Sequence, residues 1–506
     1  MRRPNVVLVL TDDHAAHAIG AYGSVVNTTP RIDEIAGLGR RLDRCFATNS
    51  LCSPSRASIL TGTYSHVNGV TTLSTPLDAS QPTFVSQLRA AGYRTAVVGK
   101  WHMGDGEGHD PQGFDYWDVL IDQGEYHDPT FLSAGGLRTE PGYATDVITD
   151  LALRWVESLD GDDPWCVLIW HKAPHRPWEP DVKHADLYAD PIPVPATFTD
   201  DYATRTSSAR RAAMRIAEHL TQIDLKADPP AGLSYDEFAL WKYQRYMEDY
   251  LRCVASVDDN VGRVTDWLRA RGELDDTLLM YSSDQGFFLG DHGWFDKRFM
   301  YEESIRMPFV LSYPRRLPAG GGFDGIVTNV DLARTLLDAV GVDAHPRMQG
   351  RSFWGDLGGA RSTGEDPGPA PRGFYYRYWE HDDGNHRAPA HYGYRDERYK
   401  LVYYYNDGLG LAGTGPSTYP GEWELFDLEL DPDELRNVAD DPAYAEVRAR
   451  LEVDLWHAQD AVDDAPHPSQ PVPAALAGTG RTADGTADGT TDRTTGSTTE
   501  GTGARA

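Results

Sequence analysis

Short apolar runs with no polar alternation recur along the chain at residues 5–10, 95–98, 165–170, 277–282 and 309–312. Such runs of Val, Ile, Leu and aromatic residues are the pattern of strands covered on both faces, as in a parallel sheet. Between them lie helical stretches at 83–91, 143–158, 235–271 and 329–339. The alternation predicts an α/β fold, a mostly parallel mixed sheet sandwiched by helices. Sheets of this kind bind ligands beyond the carboxyl ends of their strands. The residues following each run are therefore where chemistry is expected.

The pattern changes toward the C-terminus. Residues 192–195 and 228–230 bracket a polar insertion expected to lie over the sheet, and residues 358–372 are rich in Gly, Pro and Ser and read as a linker. Aromatic-rich strand candidates at 373–380, 392–394, 400–405 and 423–428 predict a smaller antiparallel sheet. The expected division is a catalytic α/β domain over 1–370, a C-terminal α+β subdomain over 371–465 and a disordered tail over 466–506. The tail, with its near-repeat of Ala, Asp, Gly and Thr from Thr482, has too little apolar surface to order itself.

Composition narrows the function class. A chain of 506 residues exceeds one small core, and a hydrophobic fraction of 40% fits a globular enzyme. The formal net charge of -30 argues against nucleic acid as a partner, because phosphate backbones need basic patches. A small anionic substrate in a locally basic pocket stays open. The four cysteines, Cys45, Cys52, Cys166 and Cys253, lack the spacings of a disulfide scaffold or a zinc site. No apolar run reaches the ~18 to 20 residues of a membrane helix, so no membrane partner is expected. Arg2-Arg3 and the apolar residues 6–10 are too short for a signal sequence and lack a cleavage site. They read as the first buried strand, and a cytoplasmic location is expected.

Several run ends carry suggestive side chains. Asp12 and Asp13 follow the first run, and Asp284 and Gln285 follow the fourth. Carboxylate and amide oxygens without a nearby Cys or His pair suit Ca²⁺ or Mg²⁺ better than zinc, though adjacent acids at a strand end are commonly solvated loop charges. Lys100 and His102 follow the second run between Gly99 and Gly104. They offer a cation for an oxyanion and an imidazole able to move a proton near neutral pH. His175 lies after the third run in a loop fixed by Pro174 and Pro177. Lys297 lies shortly after Asp284, within reach of the same oxyanion as Lys100. The remaining stretch, Cys52-Ser53-Pro54-Ser55-Arg56, has the form C-x-P-x-R. Alone it fits a small buried cysteine at a helix start as well as it fits a reactive site.

The stretch around Cys52 and the segment Gly99-Lys100-Trp101-His102-Met103-Gly104 resemble, in order and spacing, the two signature motifs of the formylglycine sulfatases. Asp12-Asp13, the Pro174 to Pro177 loop, the block from Ser283 to Lys297 and the segments 397–401 and 424–428 are similar to that family too. The resemblance implies an alkaline phosphatase-like fold and hydrolysis of sulfate monoesters. It implies that a formylglycine-generating enzyme, a transient partner, converts Cys52 to formylglycine. Asp12, Asp13, Asp284, Gln285 and the modified residue 52 would then hold Ca²⁺, with Mg²⁺ or Mn²⁺ as substitutes. The last of these positions is often Asn or His in the family; Gln285 keeps an oxygen there with altered reach.

By the same resemblance Arg56 steadies the modified residue and the carboxylates, Lys100 bridges it to sulfate, and His102 takes a proton from it. His175 and Lys297 bind sulfate oxygens, with His175 the acid for the leaving alcohol. The implied substrate is a sulfated carbohydrate, including sulfated amino sugars, or a small aryl or alkyl sulfate. Residues 375–381, His386 and His391 are candidate sugar contacts or an aromatic β-core. Two other readings stay open: a phosphonate monoester or phosphodiester hydrolase of the same superfamily, and a non-catalytic sulfoglycan-binding relative. The latter predicts loss of Cys52, Lys100 or a metal acid, and all are present.

Overall fold

The computed structural model describes residues 3–359 and 368–477. In chain order the strands of the large sheet begin with β1 (Asn5–Thr11), β2 (Arg40–Phe46), β3 (Arg94–Lys100), β4 (Tyr116–Leu120), β5 (Thr130–Ser133) and β6 (Gly136–Thr139). They continue with β7 (Trp165–Trp170) and β8 (Thr277–Ser283). After a hairpin of β9 (Phe288–Leu289) and β10 (Phe295–Asp296) come β11 (Arg306–Ser312), β12 (Gly322–Phe323) and β13 (Val327–Thr328). The lateral order is β12-β2-β11-β8-β1-β7-β3-β4-β5-β6, with β13 also on β2. The centre from β8 to β4 is parallel, while β11 and β5 join it antiparallel. The sheet is mixed and mostly parallel, as the apolar runs predict.

Successive β1 side chains feed two cores. Val7 and Val9 pack with Ile32, Ile148 and Tyr246 from the helices Pro30–Leu38, Ala144–Glu157 and Tyr235–Ala270. Val6, Leu8 and Leu10 pack with Ile59, Leu88 and Leu336 from the helices Cys52–Thr61, Phe84–Ala90 and Asp331–Val340. Neither face is wet, so both registers of the strand are apolar, and each such burial contributes roughly 1.5–3 kcal/mol.

β2 and β4 are among the strands that escape a search for apolar runs. β2 reads Arg-Arg-Leu-Asp-Arg-Cys-Phe, and its half-buried charges pair locally, Arg41 Nε with Asp43 Oδ1 at 2.6 Å. β4 carries a buried Asp118, which accepts from Arg138 of β6 at 2.6 Å and from Tyr116. A buried charge is tolerated where it is paired in this way.

The expected antiparallel sheet forms from β14 (Gly373–Tyr378), β15 (His391–Asp396), β16 (Tyr399–Tyr404) and β17 (Glu422–Asp427), in that order. The helix Ala445–Ala461 backs it through Leu451 and Leu455. The chain stays packed past 466: Gln470 is buried against Tyr392, and Tyr403 donates to the Ser469 carbonyl at 2.7 Å. Residues 478–506 of the expected tail and 360–367 of the expected linker lie outside the described residues. Among those described, no helix is long and apolar enough to cross a membrane, and all four cysteines are free and buried.

One glycine fixes the delivery of a site residue. Gly99, near the end of β3, has φ +111°, and the Trp170 carbonyl of β7 stands 1.9 Å from where its Cβ would lie. Gly99→Ala must push the two strands apart just before Lys100. It is expected to lower stability by more than the ~1–3 kcal/mol of backbone strain alone. A urea midpoint equal to that of the parent protein would contradict this.

Candidate active site

Thr11 of β1 lies in register with Ser283 of β8, so Asp12-Asp13 and Asp284-Gln285 leave the sheet side by side. Asp13 turns at φ +68°. The Tyr235–Ala270 helix braces that turn, because Tyr250 Oη donates to the Asp13 carbonyl at 2.9 Å and accepts from the Ala15 amide at 3.0 Å. Carboxylate oxygens of Asp12, Asp13 and Asp284 lie within 4.8 Å of one another, all buried. Gln285 Nε2 donates to Asp13 at 2.6 Å, which leaves its buried Oε1 without a partner.

Burial, opposed by Lys297 and reinforced by Asp12, Asp296 and Asp284, raises Asp13 to about 7. Burial and Asp12 raise Asp284 to about 6 against Arg56. Three crowded carboxylates and an orphaned amide oxygen form a hard, anionic donor set. It fits a divalent cation of the Ca²⁺ class, whose charge would relieve the repulsion.

Cys52 opens the buried Cys52–Thr61 helix with Sγ 3.3 Å from Asp12 Oδ1. Burial, then Asp12, pushes its thiol up, so the bare cysteine is a weak nucleophile at neutral pH. One turn on, Arg56 is fully enclosed. Its Nε donates to Asp284 at 2.9 Å, its Nη1 to the Lys100 carbonyl at 2.6 Å, and its Nη2 stands 3.5 Å from Asp12. The guanidinium lies over the Trp170 ring, 5.3 Å from its centroid.

Three further groups close the cluster. Lys100 Nζ pairs with Asp12 and donates to Gln123 Oε1. Lys297 Nζ lies 2.6 Å from Asp13 Oδ1, held between Asp296 at φ +79° and Arg298 at φ +92°. Two departures of this kind, one on each side of a lysine, concentrate backbone strain at the site. His175 points Nε2 toward Asp13 Oδ2 at 3.8 Å, while Nδ1 lies 2.6 Å from the Arg176 carbonyl and so carries the ring proton. Burial and Lys100 hold His175 well below the ordinary imidazole range. The structure thus gathers Asp12, Asp13, Cys52, Arg56, Lys100, His175, Asp284, Gln285 and Lys297. His102 joins them through Ser53 and Gln123; burial, then Lys100, lowers its pKa to about 4.

A cleft of about 510 Å³ opens over this cluster, with Cys52, His175 and Lys297 among its lining. One wall is built by Arg298, Glu380, Asp383 and His386, and the polar insertion brings Thr221, Ile223 and Asp224 to the rim. His386 sits between Asp296 at 3.2 Å and Asp383 at 3.1 Å, and Arg298 donates to Glu380 at 2.9 Å. Burial and Arg298 oppose charge on His386, yet Asp296 and Asp383 raise it above its ordinary value.

Of the candidate sugar contacts, Glu380 and His386 therefore reach the cleft. His391 stacks inside the aromatic core on Phe299, Tyr376 and Tyr378, and Tyr375 is buried in a separate cluster with Tyr392 and Leu455. Sequence reasoning missed Gln123, Asp296, Arg298 and Asp383. Gln123 follows the end of β4, so the strand-end rule would have reached it had that polar strand been recognised.

The family model described as Sulfatase matches residues 4–342, and the one described as N-sulphoglucosamine sulphohydrolase, C-terminal, matches residues 290–461. The chain is 39% identical over 494 residues to the N-acetylglucosamine-6-O-sulfatase of Bacteroides thetaiotaomicron, across 89% of this chain and 85% of that protein. A solved structure in complex with its substrate D-glucosamine-2-N,6-O-disulfate aligns with a TM-score of 0.82 at 38% identity, across 91% and 98% of the two chains. The phosphonate monoester hydrolase of Agrobacterium radiobacter aligns with a TM-score of 0.69 at 22% identity, across 91% and 96%; that likeness is one of fold alone.

Proposed function

The chain belongs to the sulfatase family and hydrolyses sulfate esters, and from that premise we propose that it removes the 6-O-sulfate of a glucosamine residue. The observation that carries this reading is one cleft joining two unlike surfaces. Its floor is a buried cluster of acids and cations suited to a sulfate group on a metal. Its wall of Glu380, Asp383, His386 and Arg298 offers paired donors and acceptors of the kind that grip sugar hydroxyls. The names of the relatives at 39% and 38% identity support the glucosamine assignment.

Asp12, Asp13, Asp284 and Gln285 would hold Ca²⁺, with formylglycine at position 52 installed by a formylglycine-generating enzyme. Bound there, these groups supply a nucleophilic oxygen and neutralise sulfate charge. Lys100 and Lys297 bring two buried ammoniums to the sulfate oxygens, which a water-excluded site makes effective. The arriving anion favours the protonated form of His175, whose Nε2 then donates toward the leaving alcohol. His102, neutral at rest, takes up a proton during turnover. Arg56 braces the floor.

The test is parallel kinetics on N-acetylglucosamine-6-sulfate, 4-nitrophenyl sulfate and a phenyl phosphonate monoester. The sugar sulfate should show the highest kcat/KM. A faster 4-nitrophenyl sulfate would remove the glucosamine assignment, and a faster phosphonate would favour the rival hydrolase reading.

A further inference from the structure

Gln123 follows β4 in a turn where Asp122 stands at φ +48°. It lines the cleft with Cys52, and its amide spans Lys100 and His102. Lys100 Nζ donates to Oε1, and Gln123 Nε2 lies 3.1 Å from His102 Nε2. The amide orientation is dictated by its partners. An ammonium has only donors, so the amide atom facing Lys100 is the oxygen and the NH₂ faces the imidazole. An NH₂ also has only donors, so His102 Nε2 must offer its lone pair and the ring proton resides on Nδ1.

The opposite side of the ring independently demands the same arrangement. Ser53 Oγ spends its one proton on the His102 carbonyl. At 3.3 Å from His102 Nδ1 it can then only accept, which again places the ring proton there. His102 itself is held at φ +54° and Asp122, next to Gln123, at φ +48°, so backbone that the surrounding fold must over-determine stands at His102 and beside Gln123. One neighbour competes: Asp122 Oδ1 lies 3.4 Å from the same Nε2, but its carboxylate is 79% exposed and the contact is longer.

We propose that Gln123 is a positioning residue that ties His102 to Lys100 and fixes the resting imidazole as the Nδ1–H tautomer. Without it the ring is free to protonate Nε2 toward Asp122 and present the wrong nitrogen. The orientation of a catalytic imidazole by a second group is a general requirement of proton transfer at a set atom.

The kinetic part of this inference rests on the sulfatase reading; the spectroscopic part does not. In full-length protein labelled with ¹⁵N at histidine, His102 should show the Nδ1–H tautomer, assigned by the signals lost in His102→Gln. Gln123→Glu keeps the shape and the acceptor for Lys100 but turns an oxygen toward Nε2. It should move His102 to a form protonated at Nε2. A parent protein with His102 protonated at Nε2 would overturn the proposal, because Asp122 would then set the tautomer. With any sulfate ester that turns over, Gln123→Glu should lower kcat by roughly 10- to 100-fold, the scale of losing an orienting partner. KM should stay within about twofold. A raised KM at unchanged kcat would make Gln123 a substrate contact instead, and unchanged kcat and KM would leave it no role; either result sinks the idea.

Discussion

The Cys52→Ser variant is expected to lose multiple turnover by roughly 10³-fold or more, the scale on which removing an activated nucleophile acts. The substitution is nearly isosteric at a position that is 1% exposed. It keeps an atom beside Asp12 Oδ1, where Sγ now lies at 3.3 Å, so the fold and the acid cluster should persist. What changes is the number of oxygens. A serine offers one, which can accept a sulfuryl group but has no second hydroxyl to collapse and expel it. The expected record is at most one equivalent of desulfated sugar per enzyme, then none, with the intact protein carrying one added sulfate by mass spectrometry. Turnover at the parental rate would end the formylglycine proposal. So would parent protein whose peptide bearing position 52 carries only a thiol and no aldehyde reactive to a hydrazide.

Arg56→Ala is expected to cost about 3–5 kcal/mol of stability, the range for removing one partner of a buried ion pair. The guanidinium touches Asp284 at 2.9 Å, stands 3.5 Å from Asp12 and holds the Lys100 carbonyl, with no exposure of its side chain. Alanine would strand two carboxylates that already repel each other and open a void under Trp170. Arg56→Lys should recover little, because a point ammonium cannot span three acceptors set by a planar fork. Added Ca²⁺ should return part of the loss in Arg56→Ala by neutralising the same acids. A denaturant midpoint within error of the parent protein would show that Arg56 braces nothing.

Much of this architecture was readable because its causes are local. The apolar runs became β1, β3, β7, β8 and β11, since burial on both faces leaves no room for polar alternation. The candidate metal acids and Lys100 were readable because they sit two or three positions past those runs. β4 was not, because its buried Asp118 finds its partner, Arg138, two strands away in the sheet, and no local pattern announces that pairing. Gln123 was lost with it. The wall residues were hidden for another reason. Asp383 follows β14, far along the chain from Lys297, and only tertiary pairings such as Arg298 with Glu380 and His386 with Asp296 bring this connection to the same cleft. Aromatic density around residues 375–381 marked core and rim alike; all of them are buried, and only their place in the fold separates them.

The division of the cleft between two sheets has a consequence for how such a protein diversifies. The floor rests on the ends of buried parallel strands, where any change disturbs the ester-cleaving machinery. The wall hangs on the connection between β14 and β15, the kind of segment that accepts insertion and drift. A lineage can therefore retune which alcohol it presents while the chemistry stays frozen, as a lathe keeps its spindle when the chuck is exchanged. The freedom has one anchor. Arg298, next to Lys297, is buried and donates a hydrogen bond to Glu380 at 2.9 Å, so every exchange at position 380 changes a partner of a buried guanidinium that Asp296 also holds at 3.3 Å.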